Sequence, residues 1–118
     1  MAEYLLAADR LGPVVVLRSS SAGDLTAAEA PGFRARAEAA LGDSRLAIVD
    51  LAPFTFIDSS GLAALVSLHR RLSGLGGELR LAAPGRDVLA VLELARLHRL
   101  FEIYDTVPEA LEGFAGSR

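Results

Sequence analysis

The residues best suited to chemistry are Asp58-Ser59-Ser60-Gly61, two hydroxyls behind a carboxylate. They follow the branched apolar run Leu46-Ala47-Ile48-Val49-Asp50-Leu51 and precede an apolar helical pattern that continues to about Ser73. A serine in this setting can cap a helix, attack a substrate or accept a phosphoryl group. Attack would need a base, and the one arrangement available pairs Ser59 with His69 and with Asp50 or Asp58. That triad fails on three counts. The Gly-x-Ser-x-Gly elbow is missing, Asp50 lies in a strand too apolar for an open site, and His69 sits about 15 Å along the helix from Ser59. No glycine-rich phosphate loop with its lysine is present, so ATP hydrolysis by this chain is not expected either. The chain is expected not to be an enzyme and to carry no cofactor.

A strand that runs through a short loop into a helix would hold the two hydroxyls in place. Asp58 suits the N-cap, where its carboxylate accepts backbone N–H bonds and complements the helix dipole. The periodicity of the helix puts Gly61, Leu65, Leu68 and Leu72 on one face, with Ala64 and Leu75 beside them, and that face belongs against a sheet. Ser59, Ala63, Val66 and Arg70 form a second stripe, with Leu62 on the border between the two. Spacing alone leaves this stripe open to two readings, a partner footprint or a fringe of the core. Arg70-Arg71 reads as a solvated pair near the helix C-terminus, and His69 and His98 as boundary and surface residues. Taken without context, both serines read as caps.

The remaining elements follow from punctuation and pattern. Tyr4–Ala8 and Val14–Leu17 flank Gly12-Pro13 and predict a hairpin. A loop over 19–24 leads to Thr26, whose spacing to Glu29 is a capping box that opens a helix running to about Leu41, with Pro31 early in it. Glu78–Ala83 predicts a strand, Asp87–Ala95 a third helix, and Phe101–Tyr104 a last short strand. Thr106 and Glu109 repeat the capping box before a C-terminal helix. The fold class is therefore α/β, with a mixed, mostly parallel sheet of four to five strands, an N-terminal hairpin and about four helices, in one domain over residues 1–118.

Composition excludes several classes. The 118 residues suffice for one core. Without cysteine there are no disulfides or thiolate sites, and two histidines far apart in sequence do not suggest a metal site. A net charge of −3 argues against nucleic acid as the partner. All basic side chains are arginine, which carries no functional conclusion. Met1-Ala2-Glu3-Tyr4 lacks the basic start of a signal peptide, and every apolar run is too short to span a membrane. A cytoplasmic location with no membrane partner is the expectation.

The stretch Leu46–Arg71, LAIVDLAPFTFIDSSGLAALVSLHRR, resembles the signature of STAS-domain anti-sigma factor antagonists: a buried strand, Asp-Ser-Ser/Thr-Gly, then an apolar helix. Gly23-Asp24-Leu25 is similar to the Gly-Glu/Asp-Leu segment that precedes the first helix in that family. Leu92-Glu93-Leu94, Leu97, Phe101–Tyr104 and Glu109-Ala110-Leu111 resemble its C-terminal pattern. The resemblance implies the STAS fold and a partner switch. The unphosphorylated chain would bind an anti-sigma factor that is also a serine kinase, thereby releasing a sigma factor. The kinase would phosphorylate Ser59, and a phosphatase would reset it. Gly23, Asp24, Asp58, Leu62, Ala63, Val66 and Arg70 would share the docking surface with Ser59. Whether the chain forms a homodimer stays open. Two positions depart from the family pattern, Thr26 where many members have Asp and Arg96 where many have Gly. The alternative within the same fold is a structural subunit of a stress-signalling complex or a lipid-transport ABC system, docked without phosphorylation.

Overall fold

The computed structural model describes residues 4–20 and 22–115, so Met1-Ala2-Glu3 and Ser21 of the expected loop lie outside the described residues. Its elements are β1 (Leu6–Leu11), β2 (Val14–Ser19), β3 (Gly23–Leu25), α1 (Ala30–Leu41), β4 (Leu46–Asp50), β5 (Phe54–Ile57), α2 (Ser59–Gly74), β6 (Glu78–Ala82), α3 (Arg86–Leu94), a 3-10 turn (Leu97–Arg99), β7 (Glu102–Tyr104) and α4 (Val107–Ala115). Five strands form the main sheet in the order β1-β2-β4-β6-β7. The β1-β2 hairpin is antiparallel and turns at Gly12, where φ is +63°; the other pairs are parallel. Strands β3 and β5 form a separate two-stranded parallel sheet.

The alternation along each strand explains the layering. Val15 and Leu17 of β2, Ala47 and Val49 of β4, and Leu79 and Leu81 of β6 share a core with Phe33 of α1, Leu65, Leu68 and Leu72 of α2 and Leu92 of α3. Their neighbours Val14, Val16, Ile48 and Ala82 face the other way and pack on Ala110 and Phe114 of α4. A central strand covered on both faces must be apolar throughout, which is why β4 reads LAIVD. The α4 face also buries Arg80, only 5% exposed. Its guanidinium donates to Glu78 at 2.9 Å and to the Tyr104 hydroxyl at 2.8 Å, and lies 4.0 Å from the centre of the Phe114 ring. A charge so placed needs partners on its polar edge and a ring against its flat face.

Three expectations about elements are corrected. The Thr26–Glu29 box forms, with the Glu29 carboxylate accepting from the Thr26 backbone N–H at 3.0 Å and hydroxyl at 2.7 Å. It closes a turn, however, and α1 starts only at Ala30. The N–H groups of Glu29 and Ala30 both go to the Thr26 carbonyl, and Pro31, which has no N–H to donate, fits the first helical turn. Leu75, expected beside the buried face of α2, is 47% exposed. The helix ends at Gly74 and the chain turns at Gly76, with φ +78°, so Leu75 leaves the helical period. Gly23-Asp24, expected in a loop, belongs to a strand. Arg96, where the family pattern has Gly, adopts the left-handed conformation itself at φ 60°, so α3 ends on schedule at some cost in strain.

Candidate functional site

The site is built where β3 and β5 deliver the chain to α2. Asp24 lies opposite Phe56 and Leu25 opposite Ile57. The Asp58 backbone N–H donates to the Leu25 carbonyl at 3.3 Å. On the solvent side the Thr55 hydroxyl donates to Asp24 Oδ1 at 2.9 Å and contacts the Gly23 carbonyl oxygen at 3.3 Å. Gly23 and Asp24 are thus fixed next to the residues that open α2.

Asp58 is the N-cap. Its Oδ1 accepts from the N–H of Ser60 at 2.9 Å and of Gly61 at 3.1 Å, satisfying two donors that the helix cannot pair internally. Gly61 is buried, and a Cβ there would collide with the Leu25 carbonyl oxygen and approach Ile57 Cγ1 to 2.6 Å. Only a glycine lets the first turn of α2 press so closely on β3. The motif therefore has a physical reason at each end, a cap at Asp58 and a close approach at Gly61.

Between them, Ser59 is exposed as the first residue of α2, and its hydroxyl has no hydrogen-bond partner among the described residues. Ser60 is half-buried and gives its backbone N–H to Asp58. Along the same side as Ser59, Ala63 and Arg70 are exposed, while Leu62 and Val66 are half-buried at the margin of the core. Ser59 and this stripe, with Ser67 beside it, line a shallow groove of about 610 Å³, whose other walls are Arg34 of α1 and the turn at Ala95 and Leu97. Glu29 lies close enough for its charge to interact with Asp58; its own carboxyl is held below the usual carboxylate range, first by the Thr26 hydroxyl and then by the Thr26 N–H.

Of the residues that a triad would need, Asp50 and His69 do not line the groove with Ser59. Asp50 is buried and accepts the Ala52 N–H at 2.9 Å. His69 is half-buried with its ring edge-on to Phe101 at 5.3 Å, and His98 is exposed on the 3-10 turn. Among the described residues no group of three or more acidic or histidine side chains is placed to hold a metal ion, and no helix is long and apolar enough to cross a membrane.

Sequence reasoning missed several residues of this surface. Phe56 is 46% exposed beside Asp24 and Leu94 is 85% exposed near the groove wall. An aromatic residue in a strand reads as core, so nothing in the sequence flagged Phe56. Arg34 is set off the buried face of α1 (Ala30, Phe33, Ala37, Leu41) by its spacing, but what it faces is decided only by the packing of α1 beside α2.

The sequence model of the STAS domain matches residues 6–110. A candidate anti-sigma factor antagonist of Thermotoga neapolitana is 40% identical over 60 residues, a match spanning about half of either chain, 51% of this one and 53% of the relative. The crystal structure of a candidate anti-sigma factor antagonist from Thermotoga maritima superposes with a TM-score of 0.84 at 28% identity, covering 92% of each chain. The anti-sigma factor antagonist SpoIIAA in its unphosphorylated form shares the fold, with a TM-score of 0.78 at 22% identity over 97% of this chain and 99% of that one. The phosphorylated form of the Bacillus SpoIIAA does so too, at 0.69 and 21% over 93% and 99%.

Proposed function

Because the chain belongs to the STAS domain family, we propose that it is an anti-sigma factor antagonist, a binding module that docks on an anti-sigma factor/serine kinase and is released when Ser59 is phosphorylated. The observation that carries this reading is the Ser59 hydroxyl, exposed and without a hydrogen-bond partner among the described residues, at the entrance of a helix capped by its neighbour. A kinase can reach it without unfolding anything. SpoIIAA, which has the same fold, exists in an unphosphorylated and a phosphorylated form.

Physical chemistry favours such a switch at this place. A phosphate adds about −1.5 to −2 charge near neutral pH. At a helix N-terminus the dipole favours that charge, so the scaffold tolerates it. A protein seated over Ser59 does not. It meets a bulky dianion beside Asp58 and Asp24 and loses the solvation the phosphate had. About 1.4 kcal/mol is a tenfold change in affinity, so a few kcal/mol is enough to exchange one partner for another. A phosphatase acting on phospho-Ser59 would restore binding.

The test is a titration of the cognate kinase/anti-sigma factor with Ser59→Ala and Ser59→Asp. The alanine variant is expected to bind constitutively and the aspartate variant at least about tenfold more weakly, both with the thermal midpoint of the native chain. Equal affinities would remove the switch.

A further inference from the structure

Resting on that reading for the choice of face, we infer that the groove beside Ser59 takes an acidic amphipathic helix of the partner, apolar side on Leu62, Ala63 and Val66, carboxylates on Arg34 and Arg70. The charged residues that line the groove are these two arginines, a positive edge on a chain whose net charge is −3. Arg70 makes no ion pair or hydrogen bond among the described residues. Arg34 has a loose ion pair with Glu38 at 3.8 Å between side chains that are 55% and 34% exposed, easily exchanged for a better-placed carboxylate. The acids around it, Asp24 held by Thr55, Asp58 by the first turn of α2 and Glu29 by Thr26, do not line the groove.

The shape fits the same occupant. From Ser59 to Arg70 the stripe runs about 16 Å along the α2 axis, three helical turns. Ala63 in its middle is small and exposed, so a second helix can approach closely there. Ala95 and Leu97 close the far side with apolar surface. This also sharpens the action of a phosphate on Ser59. At the end of the groove it adds negative charge beside the docked helix and repels the carboxylates of that helix.

The test uses the unphosphorylated full chain, labelled with nitrogen-15, and two synthetic helical peptides with the same Leu/Ala face, one edged with glutamate and the other with lysine. The glutamate peptide is expected to bind at least about tenfold more tightly, to shift the amides of residues 59–70 and 95–97, and to weaken as salt is raised. A folded Arg34→Glu/Arg70→Glu double variant, checked by circular dichroism, should reverse the order of the two peptides. Equal binding, preference for the lysine peptide, no binding of either, or shifts that map elsewhere would overturn the inference. No kinase enters the titration. A negative result leaves phosphorylation of Ser59 standing, and a chain that no kinase modifies could still show the charge preference.

Discussion

On the side of α2 that faces the sheet, Gly61, Ala64, Leu65, Leu68 and Leu72 are buried, whereas along the adjoining stripe Ser59, Ala63 and Arg70 stand in solvent. The two sides share one backbone and one cap yet answer to different demands. Burial of the three leucines contributes about 5–9 kcal/mol as an upper estimate, enough to fix the helix whatever its outer side carries. The outer side can then hold an exposed hydroxyl, a small residue and a cation without endangering the fold. A switch operated by charge needs that separation, since it must alter an interface and leave the scaffold intact.

The separation is broken most severely from the inside. Leu68→Ala, at a fully buried position, is expected to cost about 2–5 kcal/mol in urea unfolding, because the cavity adds to the lost transfer energy. Next comes the shared cap: Asp58→Ala removes the acceptor for two N–H groups and should cost about 1 kcal/mol by the same measurement. The groove wall offers a change of opposite sign. Arg96→Gly relieves the left-handed strain at φ 60° and should raise stability by about 1 kcal/mol, offset in part by the freer unfolded chain. The smallest effect belongs to the outer stripe, where Ala63→Glu should change stability by no more than about 0.5 kcal/mol while lowering affinity for the kinase. A loss of several kcal/mol at Ala63 would erase the distinction between the two sides.

Much of this was legible from the residues. The period of α2 identified its buried side, Asp58 identified itself as the cap by type and position, and LAIVD identified the central strand. The failures share a cause, dependence on contacts distant in the chain. Strand β3 is three residues long, without apolar alternation, and exists only because β5 pairs with it. Gly61 fell on the buried face by periodicity, but the reason for a glycine is the Leu25 carbonyl, far away in sequence. Exposure of Phe56 and the position of Arg34 beside the groove likewise come from packing between elements. Leu75 was placed beside the buried face by carrying the helical period past the end of α2 at Gly74, where the backbone leaves that period.

The most direct measurement is the intact mass of the native chain and of Ser59→Ala after incubation with ATP and the cognate kinase. The native chain should gain one phosphate and keep its thermal midpoint, and the variant should gain none. Phosphate on both, or on neither, would contradict the assignment of Ser59 as the switch.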